Sequence, residues 1–144
     1  MLIKPDAVKR RLVGRIIQRV EEKGLLVEAL KMFRFSRPQA ERFYSVHKGK
    51  PFYDSLIAFI TSAPVVVQVW EGPNAIAAVR RTLGATNPTE ADPGTIRADY
   101  GLDVERNLTH GSDGPETAMR EIGLFFRPEE LLDWARCTDP WILR

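Results

Sequence analysis

The run Val65-Val66-Val67-Gln68-Val69-Trp70-Glu71 constrains this chain more than any other stretch. Branching at Cβ stiffens χ1 and suits a pleated strand, and a nearly continuous apolar run suits a strand covered on both faces. Pro64 and Gly72 bound the run, so "VVVQVWE" predicts a buried central strand over 65–71. A central strand requires neighbours on both edges and helices on its faces.

The rest of the chain supplies candidates for both. Residues 1–4 read as the end of a short strand that Pro5-Asp6 breaks. Leu12, Val13, Ile16, Ile17 and Val20 fall at helical spacing, with Gly24 as the stop. "LLVEALKMFRF" at 25–35 is β-compatible, and Ser36 with Gln39 has the spacing of a capping box that opens a helix through "PQAERFYSVH". Short helices are predicted over about 53–61 and 73–83, the second ending at Gly84. Residues 85–101 carry clustered turn signals at Asn87-Pro88, Asp92-Pro93-Gly94 and Ala98-Asp99, and no regular period. A strand over 102–109 is predicted to lead into "NLTHGSDG", with helices following over "PETAMREIGLFF" and from Pro128. No repeat or linker interrupts the pattern. It predicts an α+β fold in which about four strands form one sheet covered by helices.

Length and composition fit one domain over residues 1–144: the chain is 44% apolar and holds three Trp, seven Phe and three Tyr. Twenty-one basic residues against 19 acidic ones give a net charge of +2, too small to require nucleic acid as a partner. Cys137 is the only cysteine, so no intrachain disulfide is available and a half-buried structural thiol is expected. No window approaches the roughly 20 apolar residues of a membrane span, and the N-terminus lacks a signal-peptide core. These readings predict a soluble, cytoplasmic protein with no membrane partner.

The chemistry narrows by elimination. Neither a P-loop nor a dinucleotide fingerprint is present, and there is no nucleophile elbow. The two histidines, His47 and His110, are far apart in sequence, which argues against a structural zinc site. What remains is a set of cations and small polar groups near turns: Lys4 at a strand end, Arg80 and Arg81 in a last helical turn, Thr86 and Arg97 bracketing the long loop, and Arg106 and Asn107 before His110. Each also has an ordinary structural reading, such as Arg80 complementing a helix C-terminus. His110 is compatible with a hydrogen-bonded loop residue, a metal ligand or a reactive imidazole. Gly111 permits close backbone approach, and Ser112-Asp113 is expected to begin a helix whose free N–H groups favour anions. A neutral imidazole held by a neighbour is a competent phosphoryl acceptor, and Glu121 is a candidate for holding it.

The residues resemble the nucleoside diphosphate kinase family through nearly the whole chain, in "IKPDAVKRRLVG", "KPFYDSLIAFITSAPVVVQVWEG", "TNPTEADPGTIRADY", "RNLTHGSDGPETAMREIGLFF" and "PEELLDWARCTDPWILR". The signature N-x-x-H-G-S-D around His110 is highly specific. The resemblance implies a ferredoxin-like βαββαβ core, a four-stranded antiparallel sheet with covering helices. It implies ping-pong transfer of a γ-phosphoryl group from a nucleoside triphosphate to a nucleoside diphosphate, through a phosphohistidine on His110. Glu121 then orients the imidazole and Ser112 supports Glu121. Lys4, Tyr44, Arg80, Thr86, Arg97 and Asn107 match phosphate and ribose contacts, while Phe52 and Val104 match the positions that sandwich the base. Mg²⁺ is implied as cofactor, carried on the nucleotide's phosphates without a protein metal site. The C-terminal segment through Arg144 and Pro93 in the long loop resemble the hexameric type, so a homo-hexamer is expected.

Ala7, Arg11, Ala63 and Ala98 stand where many members have glycine, so any of these positions with positive φ would be strained. Two other classes compete with the enzyme reading: a nucleic-acid-binding module, suggested by "KRR" at 9–11, and a catalytically silent regulatory member. The run is more simply a solvated patch, and no matched residue is missing from the site.

Overall fold

The protein is described from a computed structural model over residues 1–143. Its strands are β1 (Leu2–Ile3), β2 (Leu26–Phe33), β3 (Val65–Glu71) and β4 (Thr109–His110). The helices are α1 (Pro5–Lys9), α2 (Val13–Glu22), α3 (Arg37–Phe43), α4 (Tyr53–Ile60), α5 (Ala75–Leu83), α6 (Ile96–Tyr100), α7 (Pro115–Phe125) and α8 (Asp139–Ile142). The sheet order is β2-β3-β1-β4 and every neighbouring pair is antiparallel. This is the ferredoxin-like arrangement.

β3 lies inside the sheet, and all its residues except Glu71 are buried. Its side chains alternate between two cores. Val65, Val67 and Val69 join Phe43, Ile57, Ile60 and Phe126 on one face, which α3, α4 and α7 cover. Val66 and Trp70 join Ile16, Val20, Val79, Leu83 and Leu108 on the other, under α1, α2, α5 and α6. Burying one such Val contributes about 1.5–3 kcal/mol, so the strand is a main source of the fold's stability. Gln68, the polar interruption, is 2% exposed. Its amide donates to the Val66 carbonyl and accepts from Trp70 Nε1, which removes the cost of burying it.

Local signals place several boundaries. Ser36 Oγ accepts from the Gln39 N–H while Gln39 Oε1 accepts from the Ser36 N–H, the reciprocal bonds of a capping box. α2 presents Ile16 and Val20 to the core, and Gly24 follows it at φ 103°.

Other expectations are corrected. Pro5 does more than break β1, because it opens α1. Residues 85–101, predicted to lack regular structure, contain a 3₁₀ turn at Pro88–Glu90 and α6, which Thr95 Oγ caps by accepting the Ala98 N–H. A five-residue helix is too short to establish a period. The strand predicted over 102–109 shrinks to Thr109–His110, paired with Ile3 and Leu2. β1 offers two residues, so the ladder cannot extend. The helix predicted from Ser112-Asp113 starts at Pro115, and the one predicted from Pro128 is a single 3₁₀ turn over Pro128–Glu130. Cys137 is exposed rather than half-buried. Of the assumed glycine positions, Arg11 alone has positive φ, at 59°, while Ala7, Ala63 and Ala98 have ordinary backbone. Among the described residues no helix is long and apolar enough to cross a membrane.

Candidate active site

The site is built around an unusual turn at the end of the β4 approach. Leu108 is fully buried and has φ 72°, and the Thr109 N–H donates to the Asn107 carbonyl at 2.8 Å. This is a γ-turn of the rare, positive-φ kind. A leucine held there costs about 1–3 kcal/mol, so the surroundings must over-determine it.

They do so from three directions. The Leu108 carbonyl accepts from the Lys4 N–H at 2.8 Å, and the Leu108 N–H donates to Asp6 Oδ2 at 3.1 Å. Arg97, on α6, donates from Nε to the Asn107 carbonyl, from Nη2 to the Thr109 carbonyl and from Nη1 to the Gly84 carbonyl. The Asn107 amide bridges Lys4 and the α5–α6 connection: its Oδ1 accepts from Lys4 Nζ at 2.7 Å and its Nδ2 donates to the Thr86 carbonyl at 2.9 Å.

This scaffold presents His110. Its Nε2 lies 2.8 Å and 3.0 Å from the two carboxylate oxygens of Glu121 on α7, and Ser112 Oγ donates to Glu121 Oε2 at 3.2 Å. The proton of a neutral His110 therefore sits on Nε2, and Nδ1 keeps its lone pair. Phe43 packs edge-on against the ring, with centroids 5.2 Å apart. Gly111 lets α5 pack closely, since a Cβ there would stand 3.0 Å from Leu83 Cδ1 and the leucine would have to shift by a few tenths of an ångström. Arg80, at the end of α5, donates to the Gly111 carbonyl at 3.1 Å.

Burial shifts the charged groups. It lowers the His110 pKa below the ordinary histidine value, and the hydrogen bond and charge of Glu121 restore only part of the loss. For Glu121 burial acts upward, but the His110 and Ser112 hydrogen bonds outweigh it and the carboxyl stays below its usual range. Burial, then the Arg97 charge, brings Lys4 down to about 8 against the opposing effect of Asp6. Burial, then Arg80, lowers Arg97 to about 10. Burial, then Glu121, pushes the Tyr44 phenol up, so it remains a donor. Its buried hydroxyl has no hydrogen-bond partner among the described residues.

A cleft of about 1150 Å³ collects these groups. Lys4, Tyr44, Phe52, Arg80, Thr86, Arg97, Val104, Asn107, His110 and Glu121 all line it, whereas Ser112 acts from behind Glu121. Phe52 and Val104 are 45% and 52% exposed at its rim. Arg81, beside Arg80 in sequence, does not line it. Arg106, singled out in the sequence beside Asn107, also lines it, with its guanidinium 5.1 Å from the Phe59 ring centroid, and Leu56 and Phe59 are lining residues that the sequence reading did not single out. His47, far from His110 in sequence, lines the same cleft. The Tyr44-x-x-His47 spacing at a helix end was the available signal. Among the described residues no group of three His, Cys, Asp or Glu side chains is placed to hold a metal.

Such a cleft can bind a polyanion, hold donors around it and offer one unprotonated nitrogen to it. Similarity to known proteins accords with that chemistry. The family model for nucleoside diphosphate kinase matches residues 1–131. A nucleoside diphosphate kinase of Carboxydothermus hydrogenoformans is 55% identical over 142 residues, covering 99% of this chain and 95% of the relative. One from Thermomicrobium roseum is 53% identical, with 99% and 96% covered. Among solved structures, a halophilic nucleoside diphosphate kinase of Halobacterium salinarum in complex with CDP superposes with a TM-score of 0.95 at 46% identity, covering 99% of this chain and 95% of that one. A family protein from Babesia bovis gives 0.94 at 42% identity, with 99% and 96% covered. The chain belongs to the nucleoside diphosphate kinase family and is a phosphotransferase that acts on nucleotides.

Proposed function

We propose that His110 Nδ1 is the phosphoryl acceptor of a ping-pong exchange between a nucleoside triphosphate and a nucleoside diphosphate. The observation that carries this is the pair of contacts from Glu121 to Nε2, which fixes the tautomer and leaves Nδ1 as the nucleophile in a cationic cleft. In the first half-reaction the Nδ1 lone pair attacks the γ-phosphorus, the bond to the β–γ bridging oxygen breaks, and the diphosphate leaves with that electron pair. In the second, a terminal oxygen of another diphosphate attacks the phosphohistidine phosphorus and the N–P pair returns to Nδ1. The Nε2 proton stays against Glu121 throughout, so the growing positive charge on the ring is balanced by a fixed carboxylate.

Lys4, Arg80, Arg97, Tyr44, Thr86 and Asn107 surround the phosphates and ribose, supplying charge and donors to a transition state whose negative charge is spread over phosphoryl oxygens. Phe52 and Val104 sandwich the base, and stacking on a ring face tolerates different bases. Mg²⁺ fits as an ion carried on the nucleotide, because the cleft's donor set is mainly cationic and, among the described residues, no carboxylate cluster competes for it. Bound with the nucleotide, it would supply neutralisation of phosphate charge beside Lys4, Arg80 and Arg97.

The chain is read as one domain of a cytoplasmic homo-oligomer, a hexamer by resemblance. Leu30 and Met32, 55% and 58% exposed on the edge strand β2, support assembly through an uncovered sheet edge. Arg144, part of the C-terminal segment that suggests a hexamer, lies outside the described residues. Within the basic run 9–11, Arg10 donates to the Tyr100 carbonyl and Lys9 faces the cleft, which does not favour a nucleic-acid surface.

Incubation with ATP and Mg²⁺ tests the reading. An acid-labile phosphoenzyme is expected, and it should disappear in His110→Ala together with nucleotide exchange. Exchange that survives His110→Ala overturns it.

A further inference from the structure

Asp6 does not line the cleft and makes no hydrogen bond to the His110–Glu121 pair; toward the phosphate contacts it acts only through its charge, which favours the Lys4 ammonium and is lost equally in Asp6→Asn and Asp6→Ala. It is nevertheless 8% exposed, and among the described residues its only side-chain hydrogen bond is the one that Oδ2 accepts from the Leu108 N–H at 3.1 Å. Oδ1 is buried without a partner among the described residues. A carboxylate kept out of water for one backbone donor is expensive unless that donor matters. Leu108 is the residue at φ 72°, placed between the amide that touches Lys4 and the residue that precedes His110.

The tie is specific in direction. The Lys4 N–H holds the Leu108 carbonyl and Asp6 holds the Leu108 N–H, so both polar groups of one strained peptide segment are fixed by the β1–α1 junction. Asn107 and Thr109, on either side, are held by Arg97. Without Asp6 the Leu108 N–H is buried with no acceptor, and the least costly relief is for the turn to relax toward negative φ. That relaxation rotates the peptides on which Asn107 and His110 are carried.

We propose that Asp6 is a positioning residue: by latching the Leu108 N–H it keeps the 107–109 turn strained, and so sets the aim of His110 in the cleft. The kinetic part of its test rests on His110 being the phosphoryl acceptor, while the latch itself does not.

The test compares Asp6→Asn, which keeps an oxygen acceptor, with Asp6→Ala, which removes it. Asp6→Leu, of similar shape without an acceptor, serves if Asp6→Ala fails to fold. Two readouts are taken on the full chain: hydrogen exchange at the Leu108 amide, and kcat separately from nucleotide KM. In Asp6→Ala the Leu108 amide is expected to exchange at least tenfold faster, and kcat to fall 10- to 100-fold with KM changed less than about threefold. Asp6→Asn should restore both to within about threefold. Unchanged Leu108 exchange in Asp6→Ala overturns the latch. Faster exchange with unchanged kcat, or a rise in KM matching the loss of kcat, overturns the positioning role. Failure of the wild-type chain to form a phosphohistidine instead overturns the reading of His110, and amide exchange then decides the latch alone.

Discussion

Arg97 Nη2 donates at 2.7 Å to the carbonyl of Thr109, the residue directly before His110. With its Nε on the Asn107 carbonyl and its Nη1 on that of Gly84, the guanidinium braces the turn as well as adding positive charge to the cleft. Its planar fork reaches three carbonyls at once, which an ammonium cannot do.

Arg97→Lys should therefore retain charge but lose the brace. Hydrogen bonds from charged donors contribute about 1.5–3 kcal/mol each and are only partly replaced by one ammonium, so a loss of about 2–4 kcal/mol is expected. Urea unfolding measures it, and kcat should fall at least tenfold. A variant as stable as the parent would show that the three contacts are dispensable.

Glu121→Gln keeps a side chain of the same size but removes the negative charge facing Nε2. A fall in kcat of about 100-fold is expected from a misheld, uncompensated ring. Ser112→Ala, which loses one contact to Glu121 at 3.2 Å, should cost only a few-fold. Single-turnover phosphorylation of His110 distinguishes these effects from changes in product release.

His110 and Lys4 set opposite ends of the pH range. Burial holds the His110 pKa below about 6.5, its unfolded value. The neutral ring is thus available at pH 7, and activity should decline only below that range. The folded protein also binds this proton less readily than the unfolded chain, so the contribution to stability is present above the unfolded pKa and is lost as pH falls through the folded one. Lys4, lowered to about 8 by burial and Arg97, follows the same sign: stability from this group rises between about pH 8 and 10.5, where the unfolded chain retains the proton. Activity moves the other way, because loss of the ammonium weakens phosphate binding. A decline of kcat/KM above about pH 8 in the free enzyme is the expected profile. A flat profile to pH 10 would contradict it.

Arg11→Gly should stabilise the protein. Arg11 is exposed at φ 59°, a conformation that costs a non-glycine residue roughly 1–2 kcal/mol. Glycine relieves this but gives up about 0.4–1 kcal/mol through the entropy of the unfolded chain. A net gain of about 0.5–1 kcal/mol is expected, with activity unchanged. Ala7→Gly, inside α1 and without positive φ, should instead destabilise by about 0.5–1 kcal/mol. Denaturation midpoints of the pair test the backbone argument directly.

Local signals in the chain were enough to locate the central strand, the capping box at Ser36, the stop at Gly24 and the helix that carries Glu121. Each depends on side-chain branching, spacing or backbone freedom within a few residues, so the pattern is complete in the sequence itself. The N-x-x-H-G-S-D signature likewise singled out His110 and its partners by resemblance. Convergence of the site was another matter. Lys4 Nζ meets Asn107 Oδ1 across 103 positions, and the Leu108 N–H meets Asp6 across 102. No short-range periodicity encodes such contacts. Arg97 could be matched by resemblance to a phosphate contact, but its bracing of three carbonyls depends on where β1, α5 and α6 lie after packing. The strained turn at Leu108 has the same origin: nothing about a leucine favours φ 72°, and it persists because the packed fold leaves its N–H and carbonyl no better partners than Asp6 and Lys4.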